Sequence, residues 1–371
     1  MKNYKRLLIY YLRKLVKRLH IYALIIFVFS FAGCNFSRTA DETKHSEESI
    51  KLLPYFTYHS ENVFPGDSSL HRPEDGIGLK DGRIIVSDQA TGLRLIEKNG
   101  SGRPFGKFAA VGFTYNPPDH MLSPNGLRLE KDGEHLLMVD LEDGKIYRIN
   151  LNTEDVEVVY DHAFGVNAIY EDRTGAIWFT QSARSTNVKE LVSELNQPVP
   201  HGAVFRMTNI KSTPVKVIDS LYFANGLTMD KDEKHLYVSE TMMDKVHEYD
   251  VDVNSGTVKY NGVVANIMSP DNLLIDKDGR LFIASTFSNQ VVAVDFKDHS
   301  QHVIFNGATK ENIKLTNELN RRNHLGLERL KFNSTGMFSP LPGGITGMFF
   351  SYDSSTFYVT NLGKDLLKYN W

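Results

Sequence analysis

The chain has 371 residues, 41% of them hydrophobic and 11% aromatic, which supports a large packed core and disfavours disorder. The formal net charge is −3, but seven basic residues and no acidic one precede Cys34, and beyond it 35 basic stand against 45 acidic residues, a charge of −10. That balance argues against a nucleic-acid footprint and suits a soluble domain or one that attracts cations; a single cysteine excludes any disulfide within the chain.

A basic stretch from Lys2 to Arg18 leads into an apolar run from Ile21 to Phe31, then Ala32, Gly33 and Cys34. Charged, apolar and small-residue regions in that order form a signal-peptide pattern. The apolar run is about half the ~20 residues of a spanning helix. Phe31-Ala32-Gly33-Cys34 resembles a bacterial lipobox, in which the cysteine is acylated after cleavage, although Phe31 replaces the usual aliphatic residue. Residues 1–34 are therefore expected to be a lipoprotein signal peptide, with lipidation on Cys34. The polar segment 35–50 is expected to be a flexible tether. The protein would be exported and held to a membrane of the cell envelope by its lipid anchor only; an uncleaved signal anchor is the alternative.

From there the chain repeats itself. Six segments share one pattern of alternating apolar residues, a turn of Asp, Gly, Ser or Lys, and a second apolar strand: Glu74–Asp88, Asn125–Asp140, Asn167–Gln181, Asn225–Glu240, Asp271–Ser285 and Thr346–Asn361. Most are followed by a further strand, as at Lys145–Asn150, Gly202–Met207, Lys245–Tyr249, Gln290–Asp295 and Asp365–Tyr369. The first five starts are 51, 42, 58 and 46 residues apart, close to the ~40–50 residues of a four-stranded propeller blade. The last gap, 75 residues, requires an insertion within Asn306–Pro342, where Glu311–Asn323 is polar and helix-like. These spacings predict an all-β, six-bladed β-propeller with a central channel over 51–371, with Tyr55–Tyr58 as the strand that closes the ring. A β-sandwich would not explain the recurrent residue at each hairpin mouth. The Asp230/Asp232 and Asp276/Asp278 turns lack the remaining ligand positions of an EF-hand and read as hairpin turns.

Equivalent blade positions converge on a propeller's channel. They are Glu74 or Asp75, Asn125, Asn167, Asn225, Asp271 and Thr346, each with a side-chain oxygen. Several oxygens in loose geometry suit a hard cation. The column holds no thiolate or imidazole, which disfavours zinc and copper. A single Asn-Gly or Asp-Asn pair is ordinary turn chemistry; recurrence in register is what marks a site.

The segments FANGLTMDKDEKHLYVSET, SPDNLLIDKDGRLFIAS and GVNAIYEDRTGAIWFTQS resemble the senescence marker protein/gluconolactonase superfamily, to which paraoxonases and strictosidine synthase-like proteins are related. The resemblance covers residues 70–300 well and the last blade weakly. It implies one catalytic Ca2+ in the channel, with Glu74, Asn167, Asn225 and Asp271 as ligands. Asn272, Asn125 and Asp75 are further metal or substrate candidates. In the first blade, alternation back from Leu79 through Ile77 puts Asp75 at the ligand position, whereas the Pro73-Glu74 pair favours Glu74; a bulge at Gly76 would reconcile them. The chain departs from the family at Gly165, where gluconolactonase-like members often place a substrate-binding Arg, and at Asn125, where paraoxonases have a catalytic His. The late Glu of strictosidine synthase has no counterpart. The resemblance thus implies a calcium-dependent hydrolase of a lactone or related ester, a small-molecule substrate, and Asp271 as catalytic base or nucleophile. His120, His162 and His201 are candidate proton shuttles. Phe164, Trp178, Phe179, Tyr222 and Phe223 line the pocket or fill the blade core. The alternatives are strictosidine synthase-like activity, or a non-catalytic, surface-anchored propeller that binds a glycan or protein around a structural calcium. Keeping an acid and amide pattern at four blades favours the enzyme.

Overall fold

A computed structural model describes residues 53–371, apart from 118–120, 186, 299 and 331–335. Cys34, the segment 35–50 and His120 lie outside the described residues.

Each repeat forms a hairpin for a local reason. At the tip, an aspartate side chain takes the backbone N–H groups of the turn: Asp172 from Thr174 and Ala176 (2.8 and 3.1 Å), Asp230 from Lys234 and His235 (2.8 and 3.0 Å), Asp276 from Asp278 and Arg280 (2.9 and 2.8 Å). These Asx turns satisfy donors that would otherwise need water. The Asp-x-Asp stretches are therefore hairpin turns, as the sequence suggested.

The hairpins extend into six antiparallel sheets, the blades of a six-bladed β-propeller. Their inner strands are Gly76–Gly78, Pro124–Leu129, Val166–Glu171, Ala224–Met229, Pro270–Ile275 and Ile345–Phe350. Inner strands of neighbouring blades touch one another around the ring, including the sixth against the first. The first blade is the repeat at Gly76–Phe105, and the last takes its outer strand from the beginning of the described chain: Val63–Phe64 pairs antiparallel with Leu366 and Leu367. This closure corrects the expected Tyr55–Tyr58. Phe56–Thr57 instead adds in parallel to Gln301–Asn306, the outer strand of blade five. Two residues of pairing carry too little alternation to be distinguished by pattern.

Six apolar clusters lie between successive blades, not in the middle of the molecule. Trp178 and Val204 of blade three meet Leu227 and Leu236 of blade four, and Phe282 of blade five meets Ile345 and Phe357 of blade six. The remaining four clusters join the other neighbouring pairs. Each fully buried large side chain contributes roughly 1.5–3 kcal/mol. The blade faces thus consume the hydrophobic residues and leave the channel to polar ones.

Two insertions interrupt the ring. Helix α1, Val188–Asn196, lies between the second and third strands of blade three, and helix α2, Lys310–His324, between blades five and six. Asn187 caps α1 by accepting from the Glu190 N–H, and Thr309 with Asn312 forms a reciprocal capping box on α2. The first insertion accounts for the 58-residue spacing. The second matches the helix expected at Glu311–Asn323. Antiparallel strand order places both at the end of the channel where the inner strands begin. There they meet: Arg329 and Leu330 donate backbone N–H groups to the carbonyl and side chain of Asn196 (3.1 and 2.8 Å). Leu191 of α1 packs on Leu141, Phe223 and Met242.

Candidate metal centre and active site

Inner-strand residues converge on the channel because the strands are bulged at the same place. Register slips between Pro124 and Leu127, Val166 and Ile169, Ala224 and Leu227, Pro270 and Leu273, and Ile345 and Gly347. Each slip spans a column residue: Asn125, Asn167, Asn225, Asp271 or Thr346. A bulge re-aims a side chain that strict pleating would send elsewhere. In blade one, Gly76 pairs with Val86 without a bulge. Glu74 and Asp75 precede the strand, and the Ser87 hydroxyl accepts both of their N–H groups (3.0 and 3.1 Å).

The Asn-Gly pairs lie within strands, not in loops. A Cβ on Gly226 would stand 2.5 Å from the Asp271 carbonyl oxygen, and one on Gly126 would stand 2.9 Å from that of Asn167. Glycine is required because neighbouring inner strands approach so closely at this level.

A second column of hydroxyls fixes the first. Thr180 donates to the Asn225 carbonyl (2.7 Å), Ser239 to that of Asp271 (2.7 Å) and Thr360 to that of Glu74 (2.7 Å). Each comes from the second strand of the preceding blade. Ser182 and Thr241 accept from the side-chain amides of Asn167 (2.8 Å) and Asn225 (3.1 Å), which turns the amide oxygens the other way. This column is visible in the strand endings Ser87-Asp88, Thr180-Gln181, Ser239-Glu240 and Thr360-Asn361.

Glu74, Asn125, Asn167, Asn225, Asp271 and Asn272 are all buried, none more than 8% exposed. Asn125 donates to the Asn167 oxygen (2.9 Å), and Asn272 donates to Glu74 Oε1 (3.1 Å). Asp271 Oδ2 accepts from the Thr286 hydroxyl (2.9 Å). Asp75 diverges from this group. Its carboxylate is held by the N–H of Leu127 (2.8 Å) and of Gly76 (2.8 Å) and faces the channel beyond the ring.

Burial, and then the nearby Asp271 charge, hold the Glu74 carboxyl well above the usual carboxylate range. Burial pushes Asp271 up to about 7, against the Thr286 hydroxyl and the charge of Arg72, which favour its ionised form. Two buried acids therefore resist ionising together without a cation. Among the described residues, Glu74 Oε2 and Asn225 Oδ1 have no hydrogen-bond partner. An unpartnered buried acceptor costs about 1–3 kcal/mol. Oxygen donors only, two of them orphaned and two belonging to acids, fit a hard divalent cation.

Arg72 also belongs to the site. Its backbone is left-handed (φ 55°), its N–H reaches the Gly363 carbonyl (2.8 Å), and its Nη1 donates to Asn125 Oδ1 (2.8 Å) and the Pro124 carbonyl (3.2 Å). Such a conformation at a bulky residue is a strain of order 1–3 kcal/mol and clusters at functional sites. The sequence offers no signal for it beyond its place two residues before Glu74.

The candidate histidines have other partners. His162 bonds Gln181 (2.9 Å) and packs edge-on against Phe205, and His201 bonds Glu194 (2.9 Å). Trp178 and Phe179 are inter-blade core, Tyr222 and Phe223 support α1, and Phe164 lines a side cleft with His162. A separate cluster, Glu130, Asp132 and His135, brings three ligand atoms within 4.8 Å at the blade-two turn. Arg148 donates to Glu130 there (2.8 Å) and already balances its charge.

Fold and site define a six-bladed propeller whose channel closes around buried acids and amides. Residues 161–310 match the family model described as the SMP-30/Gluconolactonase/LRE-like region. It is 26% identical over 254 residues to protein STRICTOSIDINE SYNTHASE-LIKE 4 of Arabidopsis thaliana, covering 67% of this chain and 65% of that one. It is 23% identical over 210 residues to lactonase drp35 of Staphylococcus epidermidis, covering 45% and 64%. The match thus spans a little under two thirds of either relative. A gluconolactonase from Xanthomonas campestris superposes with a TM-score of 0.56 at 16% identity, covering 86% of this chain and 95% of that one. The calcium-binding protein regucalcin from Agrobacterium tumefaciens gives 0.54 at 14%, covering 83% and 87%. At these identities the structural likeness concerns the fold.

Proposed function

We propose that the protein is a divalent-cation-dependent hydrolase of lactones or related esters, with calcium as the ion. The observation that carries this reading is the pair of buried carboxylates, Glu74 and Asp271, beside acceptor oxygens that no donor satisfies. Relatives named lactonase and gluconolactonase, and a neighbour described as calcium-binding, support it. Glu74, Asn167, Asn225 and Asp271 would hold the ion, which when bound supplies a Lewis acid for the substrate carbonyl.

The chain's own residues do the rest. Asp271, oriented by Thr286, takes a proton from the attacking water as the new C–O bond forms at the carbonyl carbon. It returns that proton to the ring oxygen as the acyl C–O bond breaks, leaving a hydroxy acid. Arg72 and Asn125 stand beside the ring and orient the substrate's polar groups. α1 and the 329–330 segment, joined at Asn196, lie at the end of the channel nearer the ring. The mature chain would reach its substrate from a membrane surface, tethered by lipid on Cys34.

The test is hydrolysis of lactones and aryl esters by the full chain, with calcium and with chelator. Turnover should require the metal and fall about 10²–10⁴-fold in Asp271→Asn. Wild-type turnover in that variant at saturating calcium would refute the mechanism and favour a binding propeller.

A further inference from the structure

Beyond the ring, the channel opens into a cavity of about 320 Å3 to which all six inner strands contribute residues one to four places past their column residue. Its wall combines apolar and polar groups, with Leu227, Met348 and Phe349 among the buried apolar contributors. One cation faces it. Arg128, on the inner strand of blade two, lies with its guanidinium 4.0 Å above the Tyr170 ring. Its Nε is buried without a hydrogen-bond partner among the described residues, and its charge acts on Asp75 across the cavity. Asp75 shares the cavity, but its two oxygens are turned to the backbone N–H groups of Leu127 and Gly76.

A guanidinium stacked on an aromatic face is held in plane, with its fork of donors pre-organised. The buried Nε has no acceptor among the described residues, which is costly, and a carboxylate entering the cavity supplies one in the planar geometry a guanidinium favours. Small-molecule sites combine concave apolar surface with a few oriented polar groups, as this cavity does. Thr228, on the neighbouring wall, adds a hydroxyl.

We infer that the far end of the channel is a second ligand site, separate from the acid and amide ring, that takes a small carboxylic acid with an apolar body. Arg128 binds the carboxylate and the apolar wall takes the hydrocarbon. Because neither Arg128 nor the apolar wall is among the groups that would hold the ion, binding is independent of the metal and of any hydrolytic activity.

The test is calorimetric titration of the full chain with 3-phenylpropionate, beside 3-phenylpropanol and phenethylamine as neutral and cationic analogues, in chelator and in calcium. The acid should bind in both conditions. Each analogue should bind at least about tenfold more weakly, the loss expected for a charge-assisted pair. Arg128→Met should weaken the acid by a similar factor without changing the far-UV circular dichroism. The comparison of ligands on the wild-type chain stands even if that variant folds poorly. Equal affinity for the alcohol, binding that disappears in chelator, or a folded Arg128→Met that binds as wild type would overturn the inference.

Discussion

Asp271→Asn should make the metal-free protein more stable. Burial raises the Asp271 carboxyl from 3.8 to about 7, about three units, and each unit is about 1.4 kcal/mol. An acid whose folded pKa is raised destabilises the fold progressively as pH rises above its unfolded value, and the cost is complete above the folded pKa. The cost vanishes below the unfolded value near 4. Above pH 7 the aspartate therefore costs up to about 4 kcal/mol, and Glu74, which resists ionisation beside it, shares part of that cost. The asparagine keeps an oxygen for the Thr286 hydroxyl and removes the charge. We expect a gain of about 2–4 kcal/mol at pH 8 in chelator, or roughly 3–6 °C in Tm for a domain of this size. At pH 4.5 the gain should be small. Calcium at a hundredfold excess over its Kd should raise the wild-type Tm by the equivalent of about 3 kcal/mol and the variant's by much less. Scanning calorimetry at both pH values, with and without calcium, reads all of this. A variant less stable than wild type at pH 8, or a gain independent of pH, would mean that the buried Asp271 charge does not destabilise the metal-free fold.

Gly226→Ala should be far more disruptive than an ordinary strand substitution, because its Cβ would meet backbone atoms of Asp271 and Asn272 at 2.5 and 2.7 Å. A loss of about 1–3 kcal/mol is expected in denaturant titrations, together with weaker calcium binding. Thr180→Val removes the hydroxyl on the Asn225 carbonyl but preserves shape; it should cost about 1–3 kcal/mol by the same assay, and a neutral result would mean that the hydroxyl column does not fix the ring. Cys34→Ser should abolish lipid labelling and change membrane association on cell fractionation, and unchanged behaviour would dismiss the lipid anchor.

Blade count, hairpin boundaries and the long helical insertion were legible because each repeats or breaks a pattern of strand alternation and turn chemistry. The column residues were legible for the same reason. What produces the column was not: five bulges at one level, glycines that serve interstrand contact and not turns, and a hydroxyl on the preceding blade. Those are relations between strands, and a single strand's alternation does not contain them. The clearest case is blade one. Alternation alone favoured Asp75, yet Glu74 lies against Asn272 and Asp271 because the strand begins only at Gly76. Arg72 was invisible because its role depends on two other blades, and the closing strand because two paired residues make no pattern.

The proposed chemistry depends on a cation bound in the channel ring. The most direct measurement is an anomalous difference map from crystals of the protein grown with calcium or manganese. We expect one strong peak in the channel, at about 2.3–2.6 Å from oxygens of Glu74, Asn167, Asn225 and Asp271 for calcium. An empty channel in millimolar metal, or a peak only at Glu130, Asp132 and His135, would contradict it.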